Sequence, residues 1–390
     1  MLRIGQVIQN VESTQGGTSA AFVEIVSALS SQRGRASITA YAPQPPQGDA
    51  PGERLEAMSD IDWRPTGPAG GLRPGAMARS VIADIERDRL DIVHLHALWS
   101  TDLVAIASAC RRKGVACCWM PHGMLMDFAI AQKRLKKQLF LTLGLSRALK
   151  HADGLLFTTA GERDCSETPT SFPREKMHIV GLPVEIVAQD DELPELAREG
   201  RERFGLPASA RVVGFIGRLH PVKRLEMTLD AFARLGSDAG DVRLLLLGSG
   251  DEAYEKSLRN RAASLGALDR VVFAGWISGR DKWRGLAAAD VVVVNSLHEN
   301  FGYSIPEALA VGTPIVATEN LAMSAEVRAA GVGRIAAPDT VSLAGAITET
   351  LADAGAAETA RQGRAWVIDN FSHNAFGARL VDLFERIANR

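Results

Sequence analysis

Cysteine is scarce in this chain, with four residues in 390. Cys110, Cys117, Cys118 and Cys165 have neither the paired spacing of a zinc site nor the density of a disulfide scaffold. They read as reduced core thiols, which sets the expectation of a cytoplasmic protein. An excess of one charge is missing as well: 44 basic side chains against 46 acidic ones leave a formal charge of -2. That balance gives no bulk reason to expect nucleic acid as a partner. No apolar run approaches the roughly 18 residues needed to span a bilayer, and the first residues lack a charged region followed by a sustained apolar stretch, so a soluble or peripheral protein is expected. Two phosphate-binding fingerprints are absent too, the Gly-x-Gly-x-x-Gly of dinucleotide folds and the terminal Gly-Lys-Ser/Thr of a P-loop. Their absence disfavours a nicotinamide-dependent oxidoreductase.

What the sequence does have is apolar residues, 46% of the total, in a chain longer than one core usually organises. Two domains are the natural expectation. Strand-like runs at 2–8, 37–41, 92–96, 115–120 and 154–158 alternate with amphipathic stretches, which implies a parallel sheet wrapped by helices. The interval 43–75, dense in Pro and Gly, is too long for an ordinary connection and reads as a functional or mobile surface segment able to shape an acceptor site. A polar, charged stretch at 189–203 breaks the rhythm. A second alternation follows at 212–217, 243–247, 271–274, 291–294 and 314–317, with Leu225, Leu229, Phe232 and Leu235 on one helical face. The domains are therefore placed at 1–187 and 188–371. The last segment, 372–390, carries Phe376, Leu380, Leu383, Phe384 and Ile387 on one stripe and must pack against something.

Candidate chemistry gathers in strand-to-helix turns. Val291-Val292-Val293-Val294 is what a strand buried on both faces looks like, and the polar segment after it leads into a helix, so ligand groups gather at its carboxyl end. Glu299 and Glu307 bracket that turn. Ser304-Ile305-Pro306-Glu307 matches a capping box, with Ser304 as N-cap and Glu307 at the third helical position. The same carboxylate suits a ribose diol, and the two roles can coexist. Glu299 has no capping role; beside it stand Asn300 and Phe301-Gly302, whose backbone can approach a ligand closely.

In Gly217-Arg218-Leu219-His220-Pro221-Val222-Lys223, two cations converge on a helix start, a pyrophosphate site in outline. The bland reading is two solvated charges at a strand end. Gly16-Gly17-Thr18 resembles a phosphate loop after strand one. Pro121-His122-Gly123 follows another strand, and His122 is either a structural hydrogen-bonder or a functional group. His94 and His96 read as core-facing or polar strand residues, and Asp60-Ile61-Asp62 as loop chemistry with no metal site. From 128 to 150, Lys133, Arg134, Lys136, Lys137, Arg147 and Lys150 alternate with Leu135, Leu139, Phe140, Leu143 and Leu149, without an acidic residue. Such a helix either lies on an anionic membrane surface or exposes a basic face over a core-packed stripe.

Together these residues resemble a retaining glycosyltransferase of the GT-B fold, glycosyltransferase family 4, a group with many bacterial polysaccharide and lipid-linked oligosaccharide enzymes. The resemblance covers nearly the whole chain. It is most specific at Gly217-Arg218-Leu219 through Lys223, at Glu299 through Glu307, and at Gly312-Thr313-Pro314-Ile315-Val316-Ala317-Thr318. It implies an α/β architecture of two Rossmann-like doubly wound parallel sheets facing a central cleft, with the terminal helix crossing back to the first domain. The implied activity moves a hexose-type sugar from a UDP- or GDP-linked donor to a lipid-linked or polysaccharide-precursor acceptor with retention, without metal or cofactor.

By the same resemblance, Arg218 and Lys223 would hold the donor diphosphate, with Gly17 against the diphosphate or acceptor. Glu307 would take the ribose hydroxyls, and Glu299 with Asn300 and the Phe301-Gly302 backbone the sugar hydroxyls. The backbone near Trp276 and Ile277 would meet the base, and His122 would lie beside the reacting sugar, making His122 and Glu299 the implied catalytic pair. Two departures stand out: Gly181-Leu182-Pro183-Val184-Glu185 where many relatives carry Pro-Asn-Gly-Val-Asp, and Asn295-Ser296 where Pro-Ser is frequent. The alternative is a catalytically idle nucleotide-sugar-binding scaffold, against which the intact site residues argue.

Overall fold

A computed structural model describes residues 1–71, 73–168, 172–235 and 240–389. The chain forms two compact units, Met1–Pro183 together with Ser372–Arg390, and Val184–Phe371.

In the first unit the strands are β1 (Leu2–Ile8), β2 (Ala36–Pro43), β3 (Asp62–Thr66), β4 (Ile92–His96), β5 (Ala116–Met120), β6 (Gly154–Phe157) and β7 (Met177–Ile179). They form one parallel sheet in the order β3-β2-β1-β4-β5-β6-β7. β4 is buried at all of its residues, as a strand covered by helices on both faces must be. The strand order reverses between β1 and β4, so the loops leaving these two neighbours diverge to opposite faces and open a crevice at their carboxyl ends.

The second unit repeats the plan with β8 (Arg211–Ile216), β9 (Val242–Leu247), β10 (Val271–Phe273), β11 (Val291–Val294), β12 (Ile315–Thr318) and β13 (Arg334–Ala336), in the parallel order β10-β9-β8-β11-β12-β13. Its reversal falls between β8 and β11. All four valines of β11 are buried, and Leu225, Leu229, Phe232 and Leu235 pack against that core.

Several expectations need correction. The interval 43–75 is not one long connection: it contains a helix, Ala50–Ala57, and the edge strand β3, which pairs with β2. Its end is tied to a fully buried carboxylate, Asp102, which accepts hydrogen bonds from the Gly70, Gly75 and Ala78 amides at 3.1, 2.7 and 3.3 Å. Asp60 and Asp62 are ion-paired with Arg33 and Arg64. Cys165 is exposed, whereas the other three cysteines are buried.

The stretch 128–150 is not one helix. It breaks at Lys133, which has a φ of 54°, and again at Gly144, with a φ of 147°, into Asp127–Ala131, Arg134–Phe140, a wider turn Leu141–Leu145, and Ser146–Lys150. Leu149 is buried, but Leu135 and Leu139 are 83% and 59% exposed, so no continuous core-packed stripe exists. The side chain of Leu143 lies outside the described residues.

The terminal helix, His373–Ala388, belongs to the first unit. It buries Phe376, Leu380, Leu383, Phe384 and Ile387 and packs on the helix Gly17–Ser30. Gly377 allows the close approach, because a Cβ there would stand 2.3 Å from the Ala28 carbonyl oxygen. At the start of this contact Glu24 meets His373 Nε2 at 2.7 Å and Arg54 Nη1 at 2.6 Å. Burial pushes the Glu24 carboxyl up, but these two hydrogen bonds outweigh it and hold the group down to about 2. A depressed carboxylate stabilises the fold fully above its ordinary value near 4.5 and loses that contribution as pH falls through the folded value. Glu24→Gln is therefore expected to cost about 1–3 kcal/mol at neutral pH in urea titrations, with the gap to wild type closing progressively between about pH 4.5 and about pH 2. A gap independent of pH would contradict this assignment.

Candidate active site

The second unit assembles its polar cluster at the β8/β11 reversal. β8 leads into Gly217, whose φ of 145° suits glycine, and the chain runs on through Arg218 to a short turn, Pro221–Lys223, before the helix Leu225–Ala233. Gly248, at the end of β9, lies so close that a Cβ on it would fall 2.0 Å from the Gly217 carbonyl oxygen. The backbone of the neighbouring strand thus presses this loop into place. From the other side, the loop after β11 is bound to the same turn by a 2.7 Å hydrogen bond from the Leu297 amide to the Val222 carbonyl.

These connections bring Lys223 and Glu299 into an ion pair across 76 residues of sequence, with the Ser296 hydroxyl donating to the same Glu299 oxygen at 2.9 Å. Both side chains are mostly shielded, 22% and 17% exposed. Burying either charge alone would cost several kcal/mol, on the order of the penalty for an unpaired buried ion, so each needs the other while no ligand is present. Arg218 differs: it is exposed and has no carboxylate partner among the described residues.

Glu307 departs from its expected structural role. Tyr303 precedes the first residue of the helix Ser304–Ala310, and no side chain caps that start, so the predicted capping box does not form. The Glu307 carboxylate instead accepts a hydrogen bond from Lys282 Nζ at 2.9 Å, and that ammonium also sits over the Trp283 ring at 4.0 Å. Lys282, in the first turn of the helix Arg280–Ala288, was not anticipated; nothing in its local sequence signals a partner 25 residues away. Phe301 is buried against Tyr303 and Phe371, so only its backbone is available to a ligand, and Gly302 beside it has a φ of 75°. Asn300 and Ile277 are half-buried, and Trp276 is 75% exposed.

In the first unit, Gly17 opens the helix Gly17–Ser30 and is exposed, preceded by Gly16 at a φ of 66°. Asp49 holds the loop before it through the Ser13 amide and hydroxyl, at 3.1 and 2.5 Å. His122 follows β5 in a left-handed conformation, φ 51°, next to Gly123 at 77°. That conformation is fixed by Glu162, whose buried carboxylate accepts from the Gly123 amide and from the amide and hydroxyl of Thr158 at the end of β6. Burial pushes the Glu162 carboxyl up, and these hydrogen bonds partly offset it. Thr159, two residues past β6, caps the helix Ala160–Asp164 by accepting from the Glu162 amide, so the Thr-x-x-Glu spacing was a legible signal for Glu162. Burial lowers the His122 imidazole to about 4.

Residues 16–183 match the Glycosyl transferase 4-like domain, and residues 197–366 match Glycosyl transferases group 1. The chain belongs to this family of GT-B glycosyltransferases of the family 4 type. It is 29% identical over 248 residues to 2-deoxystreptamine glucosyltransferase of Streptomyces kanamyceticus, covering 62% of this chain and 63% of that one. It is also 29% identical over 187 residues to phosphatidyl-myo-inositol mannosyltransferase of Mycobacterium leprae, covering 47% and 49%. The chain thus spans less than two thirds of the length of the curated relatives it matches. In fold it is similar to Anabaena Alr3699/HepE, solved in complex with UDP, with a TM-score of 0.75 at 21% identity over 99% of this chain and 100% of that one.

Proposed function

We propose that the protein is a hexosyltransferase that takes its sugar from a uridine or guanosine diphosphate donor. The observation that carries this reading is the pair of shielded ion pairs, Lys223–Glu299 and Lys282–Glu307, together with the exposed Arg218 of the β8 loop, which has no carboxylate partner among the described residues. A nucleoside diphosphate supplies what such a cluster can exchange for. Its phosphates replace Glu299 as the partner of Lys223 and engage Arg218, while the freed Glu299 accepts from sugar hydroxyls. Ribose hydroxyls take the place of Lys282 at Glu307. Lys223, Glu299 and Glu307 each keep a partner through the exchange, and the displaced Lys282 stays over the Trp283 ring, so the exchange avoids the cost of a bare buried ion.

Breaking the bond between the anomeric carbon and the diphosphate leaves negative charge on the phosphate. Arg218 and Lys223 meet that charge as it grows, a preorganised stabilisation of the kind worth about 3–4 kcal/mol per donor in oxyanion sites. With those two cations the transfer proceeds without a metal. Glu299, engaged with Lys223 and then with sugar hydroxyls, is a poor candidate for a covalent nucleophile. The working mechanism is therefore a same-face displacement with retention, in which the acceptor oxygen bonds to the anomeric carbon as the phosphate leaves, and the acceptor proton passes to a phosphate oxygen. His122 is assigned to a hydroxyl of the reacting sugars.

The acceptor is read as lipid-linked or a polysaccharide precursor, met at the cytoplasmic face of a membrane. Support comes from the exposed Leu135 and Leu139, flanked by Lys133, Arg134 and Lys136 in a stretch without acidic residues, and from the lipid named in the mycobacterial relative. No helix among the described residues is long and apolar enough to cross a membrane. Lys137 is occupied, donating to the Ala129 carbonyl and standing 5.3 Å from the centre of the Trp99 ring.

Glu299→Gln removes the competitor for Lys223, so calorimetry should show UDP or GDP binding about 3- to 10-fold tighter than wild type while sugar transfer falls at least about tenfold. Weaker nucleotide binding by this variant, or no binding of either nucleotide by wild type, would refute the donor-site reading. For the membrane surface, Lys133→Glu, Arg134→Glu and Lys136→Glu combined should abolish sedimentation with vesicles containing about 30% phosphatidylserine, and Leu135→Ser with Leu139→Ser should weaken it. Unchanged sedimentation in both would remove this surface from the account.

A further inference from the structure

The core of the first unit holds polar groups that neither strand stability nor the donor site explains. Gln6 of β1, His94 and His96 of β4, and His122 beyond β5 are all buried, and they connect in series. Gln6 Oε1 lies 3.0 Å from His94 Nδ1 and 2.8 Å from His96 Nε2. His96 Nδ1 in turn lies 2.9 Å from His122 Nε2. Phe22 packs edge-on against His96, and Phe384 of the terminal helix against His94, at ring separations of 5.0 and 5.4 Å. A buried polar network of this kind is costly where any group lacks a partner, and Gln6 Nε2 and His94 Nε2 do lack one. Apolar side chains at these four positions would pack the sheet more cheaply.

What the network supplies is a fixed set of protons. A carbonyl oxygen only accepts, so His94 donates to Gln6 from Nδ1 and His96 from Nε2. A neutral imidazole carries one proton, which leaves His96 Nδ1 bare. The contact to His122 must then be donated by His122 Nε2, and the remaining nitrogen, Nδ1, holds a lone pair. Among the described residues His122 has no other hydrogen-bond partner. Burial keeps all three rings neutral, lowering His94 to about 3, His96 well below its ordinary value, and His122 to about 4.

We propose that Gln6 and His96 are positioning residues that lock His122 in the Nε2-protonated tautomer, so that its Nδ1 serves as a hydrogen-bond acceptor for a hydroxyl of the sugar donor or acceptor. The proposal rests on the glycosyltransferase reading for its ligand, but its proton assignment stands apart from it. A neutral ring with a bare Nδ1 cannot serve as a cation for the diphosphate; it selects a hydroxyl. Turning the Gln6 amide over would reverse every proton in the series and make Nδ1 a donor, so one fully buried side chain of β1 sets the polarity of the site.

The test is the ring nitrogen spectrum of the full chain with 15N-labelled histidine, ligand-free near about pH 7. His122 is identified among the eight histidines by the signal lost in His122→Gln. The expected wild-type pattern is a protonated Nε2 and an unprotonated Nδ1 on His122. In Gln6→Leu the His122 signals should move to a tautomer average, and turnover should fall about tenfold with the donor KM within about twofold, since the group is mispolarised and not removed. A wild-type His122 protonated at Nδ1 would overturn the proposal, as would unchanged ring signals and turnover in Gln6→Leu. If Gln6→Leu fails to fold, the wild-type spectrum decides alone. If the protein transfers no sugar, the functional reading fails while the proton assignment is still decided by the spectrum.

Discussion

A parallel sheet wound in both directions has one place where adjacent strands send their chains to opposite faces, and side chains beyond the strand ends collect there with no helix lying over them. Each unit of this protein has one such place, between β1 and β4 and between β8 and β11. In the second unit the consequence is an ion pair, Lys223 with Glu299, whose members no local structure could bring together. Most of the remaining arrangement follows from the need to hold that pair: the glycine-to-glycine contact behind Gly217, the amide link from Leu297 to Val222, and the buried Phe301 that anchors the turn after Glu299.

On the donor-site reading proposed above, shielded charge makes the site a place of exchange. Neither ion of a half-buried pair can be abandoned, but either can be handed to a ligand that brings the opposite charge or a matching set of hydroxyls. Lys282 with Glu307 repeats the arrangement one helix away. The first unit handles polarity differently, through groups that are buried and neutral. Glu162 fixes the backbone on which His122 stands, and the series through His96 to Gln6 fixes its protons. Charge balance governs one unit and proton placement the other.

Much of this was legible in the sequence where burial dictates composition. β4 and β11 are continuous apolar or core-facing runs, and the stripe of the terminal helix gave its packing in advance. The edge strands β3, β7 and β13 escaped notice because they carry few buried side chains and so need no apolar run. Lys223, Glu299 and Glu307 were identified, but their ligand-free partners were not, since a pairing across 76 residues is set by the closing of the sheet and leaves no local trace. Glu307 shows the converse hazard. A complete capping signature was present, and the helix begins without using it: Tyr303, one residue earlier, takes the N-cap position, and the Glu307 carboxylate accepts from Lys282. Between 128 and 150 the charge pattern was correctly one-signed, yet the left-handed Lys133 and the kink at Gly144 divide what periodicity presents as a single helix.

The most direct measurement is a structure of the full chain with a bound nucleoside diphosphate. The account predicts phosphate oxygens within hydrogen-bond distance of the Arg218 guanidinium and the Lys223 ammonium, ribose hydroxyls on Glu307, and Lys223 parted from Glu299. A nucleotide seated elsewhere, with the Lys223–Glu299 pair intact, would contradict it.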